Sequence, residues 1–433
     1  MNTQLPKYPT YKHSGVEWLG EIPEHWEAIR MKFLFRDVSE KNKPNAELLS
    51  VTQDKGVIPR NWVENRMVMP SGNLESFKFI QKGDFAISLR SFEGGLEYCY
   101  HDGIISPAYT VLKKKKKLID GYYKYIFKSK SFISEIQTSV VGIREGKNIS
   151  YFELSYSLLP IPPLSEQSTI AQFLDYKTAK IDQAIAQKQK MIVLLKERKQ
   201  ILIQNAVTKG LNPHIKLKNS GIDWIGEIPE HWEVKRLKFI LKSPLKYGAN
   251  ESGIEYSPEL PRYIRITDFS MEGKLNEYKK LSLSWEVGKN YLLDDGDILF
   301  ARSGATVGKS YQFKKSMSIE KCYSFAGYLI KASPNEKFIL SNFLNFFTMS
   351  SSFENWKSSI FNKATIENIG ADKYSELKVI IPSLAEQTAI VSFIESQSAK
   401  IDRAISLQTQ QIEGLKEYKS TLIDSAVTGK IKI

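Results

Sequence analysis

The chain has few of the residues on which disulfide-bonded and metal-binding proteins depend. Its 433 residues include two cysteines, Cys99 and Cys322, and five histidines. Two cysteines so far apart in the sequence predict neither a disulfide framework nor a zinc site. No His, Cys and carboxylate side chains recur at metal-ligand spacing. We therefore expect no metal ligands in this protein.

Long apolar runs and acidic residues are also scarce. No run approaches the ~18 apolar residues that suggest a membrane-spanning helix, and residues 1–13 lack the apolar core of a secretory signal. These features predict a cytoplasmic protein. Lys and Arg number 61 against 48 Asp and Glu, which gives a formal net charge of +13. This balance indicates a polyanionic partner, and nucleic acid in preference to a membrane.

Motifs for nucleotide or cofactor chemistry are missing. Gly304 and Gly308 enclose three residues, whereas a phosphate-binding loop has four between its glycines. The residues that follow, from Tyr311, resemble a strand and not a helix. The sequence contains no dinucleotide fingerprint and no Asn-Pro-Pro-Tyr or Asp-Pro-Pro-Tyr motif of amino-methyltransferases. We therefore predict no catalytic residues and no cofactor bound by this chain.

Two long helical segments repeat each other. Glu166-Gln167 returns as Glu386-Gln387, a shift of 386 − 166 = 220 that holds through both segments. Apolar residues recur in each at the spacing of a helix-pairing seam. Packing of each stripe on a globular core is the alternative. The predicted helix-pairing residues are Leu174, Ile181, Leu195, Leu202, Ile394, Ile401, Leu415 and Leu422.

A second repeat, here called the opener, begins each half. Residues 14–27 return as residues 220–233 with 11 of 14 positions identical, a shift of 220 − 14 = 206. Since the later shift is 220, the second half carries a net 220 − 206 = 14 additional residues between opener and helix. His25 and His231 of the openers have no partners at metal spacing, so we assign them structural roles.

Between opener and long helix, each half has the pattern of a mixed α/β domain. Strands are predicted at 47–51, 77–80, 84–89, 108–112, 263–266, 297–301 and 324–330, and helices at 121–128, 131–138 and 336–349. The predicted fold class is α/β (α+β), with two similar domains separated by two long antiparallel coiled-coil helices and related by a pseudo-two-fold axis. The predicted domains are 1–164 and 211–384, and the predicted spacer helices are 165–210 and 385–433.

Basic and amide side chains near predicted turns are the candidate DNA contacts. Arg and Asn can form bidentate hydrogen bonds with guanine and adenine edges, and Lys neutralises phosphates. For each candidate, a charge that serves only folding or solvation is the alternative. The five lysines of 113–117 are predicted to form a solvated turn, with phosphate contact as the alternative. The candidates are Arg60, Asn61, Arg66, Arg90, Ser91, Arg144, Lys147, Arg265, Arg302, Ser303, Lys309, Asn362 and Lys363.

These motifs together resemble the specificity subunit of a type I restriction-modification enzyme. The resemblance rests on the openers, on Ile-Pro-Pro-Leu-Ser-Glu-Gln at 161–167, on Ile-Pro-Ser-Leu-Ala-Glu-Gln at 381–387 and on Gly-Asp-Ile-Leu-Phe-Ala-Arg-Ser-Gly at 296–304. The first half departs from the last motif, because Arg90 is followed by Ser-Phe-Glu-Gly.

The resemblance implies a non-catalytic, DNA-reading subunit. Two target-recognition domains would each read one half of a split double-stranded DNA site. The helices would dock two modification (methyltransferase) subunits, with two restriction and motor subunits joining for cleavage. S-adenosylmethionine, ATP and Mg would be bound by those partners. A coiled-coil scaffold without a DNA role and a methyltransferase or nuclease acting alone are the alternatives, disfavoured by the basic charge and by the missing motifs. Because the C-terminal residues match the end of the first helix, we also expect them to lie near the first opener.

Overall fold

The computed structural model describes residues 5–63, 74–141, 148–270, 273–304, 307–361 and 368–433. The chain forms two compact units. Unit 1 comprises Met1–Gln189 and Thr409–Ile433, and unit 2 comprises Lys190–Gln408. Each unit therefore contains a mixed α/β region together with part of both long helices. The domain bounds inferred from the sequence stay a prediction.

The two long helices predicted from the repeats are present. The first long helix is Leu164–Lys209, with 46 residues, and the second is Leu384–Val427, with 44 residues. Neither contains proline, which would interrupt the backbone hydrogen bonds of a helix. Gly210 and Gly429 follow the helix ends with φ of +75° in each case. This left-handed conformation ends a helix and favours glycine.

Unit 1 has short strands and helices around one central sheet. The α-helices outside the long helices are Ser91–Gly94, Asp120–Ile126, Lys130–Thr138 and Tyr151–Leu154, and the 3-10 turns are Met31–Phe33, Arg60–Trp62 and Leu74–Ser76. The strands are Tyr11–His13, Glu21–Pro23, Glu27–Arg30, Phe35–Val38, Leu49–Thr52, Gly56–Pro59, Lys78–Ile80, Phe85–Ile87, Glu97–Tyr98, Gly103–Ile105, Thr110–Lys114, Val140–Val141, Asn148–Ile149 and Leu158–Ile161.

The central sheet of unit 1 is antiparallel and has four strands. In spatial order these are Phe35–Val38, Thr110–Lys114, Phe85–Ile87 and Glu97–Tyr98. The turn before the third of these contains Gly83 at φ +91°. One face of the sheet packs against helices and the opener in a core that is rich in aromatic residues. Its largest members include Trp26, Phe35, Phe85, Tyr122, Tyr123, Phe127 and Phe132.

Unit 2 repeats this plan with different lengths. Its α-helices outside the long helices are Trp285–Gly288, Ser341–Thr348, Ser351–Phe361 and Ala371–Ser375, and its 3-10 turns are Leu237–Ile240, Lys289–Tyr291 and Lys315–Met317. Its strands are Leu217–Asn219, Glu227–Pro229, Glu233–Arg236, Lys246–Tyr247, Ile254–Glu255, Arg262–Ile264, Leu281–Ser282, Ile298–Ala301, Ser310–Gln312, Tyr323–Phe325, Leu329–Ala332 and Lys378–Ile381.

Unit 2 has two four-stranded sheets. The first, in the order Lys246–Tyr247, Leu329–Ala332, Ile298–Ala301 and Ser310–Gln312, is antiparallel. The second has the order Ile254–Glu255, Leu281–Ser282, Arg262–Ile264 and Tyr323–Phe325, and its last two strands are parallel. The mixed α/β prediction is confirmed.

Two sequence-predicted elements of unit 2 are wrong in detail. The strand predicted at 324–330 is two strands that belong to different sheets, separated at Gly327, whose N–H donates to the Ala249 carbonyl at 2.7 Å. The helix predicted at 336–349 begins only at Ser341. Its first part is a turn around Asn335, whose side chain accepts a hydrogen bond from the Lys337 N–H at 3.1 Å. Such an Asx turn competes with helix formation.

The C-terminal residues pack near the first opener, as predicted. The N–H of Lys432 donates to the carbonyl of Pro6 at 2.7 Å. Gly429 lies so close to Pro23 and Trp26 that a Cβ at this position would be 2.4 Å from the proline ring. Glycine is therefore required here by space as well as by φ.

Candidate nucleic-acid interface

A glutamate at the start of each long helix binds the opener of the same unit. In unit 1, the Trp26 indole donates to one carboxylate oxygen of Glu166 at 2.9 Å, and His25 Nε2 lies 2.7 Å from the other. In unit 2, the Trp232 indole donates to Glu386 at 3.0 Å, and His231 Nε2 lies 2.8 Å from the same oxygen. Both histidines therefore have structural partners in the repeated sequence.

The electrostatics of the two glutamates follow from these contacts. Burial opposes ionisation of Glu386, but hydrogen bonds from Trp232, Ser383 and His231 lower its pKa to about 2. The Ser383 hydroxyl accepts from the Glu386 N–H, and the Ser383 N–H donates to the Glu386 carboxylate at 3.2 Å, which is a capping box. The pKa of Glu166 is lowered too, against its burial, by Trp26, His25 and Tyr8. Proline occupies the position of Ser383 in unit 1.

The glutamine that follows each glutamate fastens the helix to the α/β region. The amide of Gln167 donates to the Pro162 carbonyl at 2.9 Å and accepts from the Ile119 N–H at 3.0 Å. Gln387 accepts from the Leu340 N–H at 2.8 Å. Both side chains are fully buried or nearly so. Because buried amide groups are normally hydrogen-bonded, these contacts fix the direction in which each long helix leaves the α/β region.

The two long helices contact each other within each unit. In unit 1, Lys419 forms an ion pair with Asp182 at 2.7 Å, and Lys188 donates to Gln411. Since the partner numbers fall as the first numbers rise, the helices run antiparallel in this unit. In unit 2, Lys199 forms an ion pair with Asp402 at 2.8 Å. The two ion pairs use corresponding residues of the repeat, since the aspartates and the lysines are each related by the 220-residue shift (182 + 220 = 402; 199 + 220 = 419).

The predicted helix-pairing residues occupy two environments. In both units the ends of the long helices pack on the α/β region, so the alternative of a stripe against a globular core holds there. Leu195 and Ile401, near the middle, are half-buried. Leu174, Ile181 and Leu422 are buried in the unit 1 core, and Ile394 is buried in the unit 2 core. Leu415 and Leu202 are partly buried and pack against these two cores.

In unit 1, the predicted DNA-contact residues fall in two places. Arg60 and Asn61 form a 3-10 turn with Trp62, whose ring is 57% exposed and packs edge-to-face on His101. Arg90 is exposed. Ser91 is fully buried, and its hydroxyl accepts a hydrogen bond from the Ser88 N–H at 2.9 Å. Burial places Ser91 outside the surface that we consider for DNA.

The lysine run of unit 1 is partly used inside the protein. Lys114 pairs with Asp120 at 2.9 Å, and Lys115 donates to the Lys32 carbonyl. Lys113 lies 3.7 Å from Asp84. Lys116 and Lys117 are exposed. Contact with phosphate stays a prediction for these last two residues.

In unit 2, Arg302 lies at the end of a central strand. Its guanidinium carbon is 4.9 Å from the centre of the Tyr247 ring, a cation–π contact. Its N–H donates to the Tyr328 carbonyl at 3.0 Å, and its carbonyl accepts from the Ile369 N–H at 2.8 Å. Ser303 is paired with Asn368 through the backbone.

Two other candidates of unit 2 serve the protein itself. Arg265 forms an ion pair with Asp268 at 2.8 Å, which raises its pKa through that hydrogen bond. Lys309 is 8% exposed, and its ammonium donates to the carbonyls of Ile266 and Phe269. Burial removes Lys309 from the surface considered for DNA, whereas Arg265 stays half-exposed.

The other predicted contacts lie outside the described residues, namely Arg66, Arg144, Lys147, Asn362 and Lys363. Sequence reasoning did not select Tyr247 and Tyr328, which are 40% and 66% exposed next to Arg302. No local pattern marks them, because their neighbours come from distant parts of the chain.

Comparison with known proteins finds relatives of one kind. The model for the type I restriction modification DNA specificity domain matches residues 229–417. The type I restriction enzyme MjaVIII specificity subunit of Methanocaldococcus jannaschii is 24% identical over 95% of this chain and 94% of its own. The EcoBI specificity subunit of Escherichia coli is 26% identical over 83% of this chain and 76% of its own. This chain is therefore similar to type I specificity subunits over most of its length.

Solved structures support the fold of this chain. One, described as the structural basis underlying complex assembly and conformational transition of the type I R-M system, matches with a TM-score of 0.71 at 14% identity and covers 94% of this chain and 98% of its own. The HsdS subunit from Thermoanaerobacter tengcongensis matches with a TM-score of 0.51 at 16% identity, over 95% and 98% of the two chains. Specificity subunits are the non-catalytic components of their complexes.

The described residues contain neither a metal-binding cluster nor a membrane-spanning helix. Among them, no group of three or more His, Cys, Asp and Glu side chains is arranged to hold a metal ion. In the same part of the chain, no helix is long and apolar enough to cross a membrane.

Proposed function

We propose that this chain reads a split double-stranded DNA site, with unit 1 reading one half and unit 2 the other. The observation that supports this most is an arrangement of strand and arginine that both units share. In both units, the strand that is third in the spatial order of the antiparallel four-stranded sheet is followed by a loop with an arginine. This arginine is Arg90 in unit 1 and Arg302 in unit 2. The chain's net charge of +13 suits a polyanion.

The surfaces that read the bases are proposed to differ between the units. In unit 1 the surface includes Arg60, Asn61 and the exposed Trp62, and in unit 2 it includes Arg302, Tyr247 and Tyr328. Arginine and asparagine supply hydrogen bonds to base edges, and exposed rings supply apolar contacts with bases. Exposed Arg90 and the lysines at 116–117 would contact phosphates and so position the duplex without reading it.

The long helices are proposed to dock two modification subunits, with restriction and motor subunits joining them. Support comes from a cleft that the 220-residue repeat duplicates. In unit 2 it has a volume of about 790 Å³ and is lined by Lys196, Lys199, Asp402 and Ile405, among others. In unit 1 a cleft of about 360 Å³ is lined by Lys416, Lys419, Asp182 and Ile185, the same residue types at the shifted positions. A surface present twice suits a partner present twice.

Cofactor chemistry is assigned to the partners in this proposal. S-adenosylmethionine would be bound by the modification subunits, and ATP and Mg by the motor subunits. This chain would bind none of them.

The proposal is tested by sequencing methylated bases in cells that carry this chain with its modification subunits. We expect methylated adenines in one split motif, and a change of one half-motif when the α/β region of one unit is exchanged for that of a relative. The purified complex should lose affinity for DNA steeply as salt rises, because binding releases counterions. If deletion of this chain left all methylation unchanged, that result would contradict the proposal.

A further inference from the structure

Arg302 and Arg90 differ in how firmly they are held. The backbone of Arg302 is hydrogen-bonded on both sides, to the Tyr328 carbonyl and to the Ile369 N–H, and its guanidinium stacks on Tyr247. The backbone of Arg90 is also hydrogen-bonded, since its N–H donates to Ser88 Oγ and its carbonyl accepts from Gln53. The difference lies in the side chain, because that of Arg90 is exposed and within the described residues stacks on no ring. One arginine is therefore fixed in orientation, and its counterpart has rotational freedom.

Tyr247 is itself held from two directions. It belongs to the strand Lys246–Tyr247, which pairs with Leu329–Ala332 in the register Tyr247 with Ile330. Its hydroxyl accepts a hydrogen bond at 2.9 Å from the N–H of Ala371, the first residue of a short helix. A ring anchored through both backbone and hydroxyl offers a stable face to the guanidinium of Arg302.

The contacts of Arg302 leave its outer edge available. Its Nε is buried and has no hydrogen-bond partner. Among the described residues, no ion pair or side-chain hydrogen bond engages its two terminal nitrogens. Gly304 next to it has open space where a Cβ would be, and Tyr328 is 66% exposed. The two terminal nitrogens of Arg302 therefore form a planar pair of donors in a fixed orientation, and this pair faces an accessible surface.

We infer that Tyr247 is a positioning residue that orients Arg302 to read a guanine in the half-site of unit 2. This inference rests on the proposed function. Guanine presents two acceptors, O6 and N7, in the major groove, and an arginine fork can bond both at once. Reading a base requires a fixed plane, whereas a phosphate can be contacted by a mobile side chain such as Arg90. A preoriented guanidinium also loses less conformational entropy on binding.

The test is a selection from randomised DNA duplexes with the full chain bound to its modification subunits. We compare the wild-type sequence with Tyr247→Ala, Tyr247→Phe, Arg302→Ala and the matched control Arg90→Ala. Arg302→Ala and Tyr247→Ala should lower the preference for guanine about tenfold at one position of one half-site. Tyr247→Phe keeps the ring and should keep most of that preference.

The other half-site reports folding in the same molecules. It should be selected unchanged by every unit 2 variant, which separates a positioning role from general loss of structure. Arg90→Ala should weaken binding of all sequences alike without changing a base preference.

Different failures have different meanings. If Arg302→Ala or Tyr247→Ala weakened all sequences equally, Arg302 would contact phosphate and the inference would be wrong. An unchanged motif in Arg302→Ala would overturn it as well, while leaving the proposed function intact. A wild-type complex that selected no motif at all would overturn the proposed function.

Discussion

Unit 1 and unit 2 have the same antiparallel four-stranded sheet, yet the layers beside it differ. In unit 1 an apolar cluster with Leu49, Val57, Ile80 and Cys99 fills this region, next to two-stranded sheets. In unit 2 a second four-stranded sheet is present, where an apolar cluster that includes Ile264, Phe325 and Leu329 is accompanied by a buried ionic group. Arg262 is 2% exposed there and bonds Glu277 at 2.9 Å and the Asn276 carbonyl at 2.6 Å.

Much of the difference between the units therefore lies in the layer beside the shared sheet. The sheet, the opener and the helix ends share their contacts, even to the ion pairs at matching positions. A buried arginine such as Arg262 costs desolvation free energy that its carboxylate partners offset. In unit 2 these hydrogen bonds act beside an apolar cluster, whereas in unit 1 the layer relies on apolar packing.

The largest effect is expected from removing most of unit 2. A fragment of residues 1–212 lacks residues 409–433, which belong to unit 1. A second copy can replace them, because Lys199 and Gln204 occupy the positions of Lys419 and Asp424 in the repeat. We expect a symmetric dimer by light scattering that binds an inverted repeat of the first half-site. A fragment of residues 1–189 is the control and should not dimerise. A monomeric, soluble 1–212 fragment would show that the end of the first long helix cannot replace the end of the second.

The next effect concerns the two environments along the helices. Leu174→Asp introduces an unpaired charge into the unit 1 core, where Leu174 has no exposure, and should cost about 3–5 kcal/mol of unfolding free energy. Hydrogen exchange should rise in unit 1, and Ile394→Asp should produce the same result in unit 2. Leu195 is half-buried, so Leu195→Asp should cost less stability but prevent assembly with the modification subunits. If the Leu195→Asp chain still assembled fully with the modification subunits, the middle of the helix-pairing seam would not be needed for that interface.

A smaller effect is expected from the opener contacts. Glu386→Ala should destabilise unit 2 by about 1–2 kcal/mol, a value reduced for the partial exposure of the carboxylate. Since the pKa falls from 4.5 to about 2 on folding, this stabilisation is complete above pH 4.5 and is lost as the pH falls towards 2. Glu166→Ala should cost less, because proline replaces the serine cap.

Thermal unfolding between pH 2 and 7 measures this difference. Glu417→Ala, at an exposed position of the second long helix, is the control. An equal loss for Glu417→Ala and Glu386→Ala would show that the opener contact contributes nothing.

The smallest effect is expected at the matched ion pairs. Lys199 is 25% and Asp402 is 56% exposed, so a double-mutant cycle to alanine should give a coupling free energy of about 0.2–1 kcal/mol. The Lys419–Asp182 cycle should give the same value within error and weaken equally with salt. A coupling that is strong in one unit and absent in the other would mean that the repeat does not preserve this contact.

Much of the fold could be predicted because the signals are local. The extent of the long helices follows from their periodicity and from the glycine after each one, and the strand after Gly83 or Gly296 follows a turn that needs positive φ. Where local signals conflict, prediction failed. The apolar residues at 324–330 read as one strand, but Gly327 passes the chain from one sheet to another.

The candidate site was harder to predict than the fold. Arg302, Ser91 and Lys309 have similar sequence surroundings of glycine, serine and charge. In the structure Arg302 is stacked near the surface, whereas Ser91 and Lys309 are buried. Whether a polar side chain points into the protein depends on which distant segments pack around it, and no local pattern contains that information.

The sequence by itself determined the duplicated plan, the two long helices and the basic charge, because repeats, helical periodicity and composition are properties of neighbouring or matching residues. Only the tertiary structure decided what each polar group contacts. It brought Glu386 to Trp232, 154 residues away, and placed Arg302 on Tyr247. The physical reason is that hydrogen bonds and ring contacts act over a few ångströms, so they depend on where folding places distant segments and not on their order in the chain.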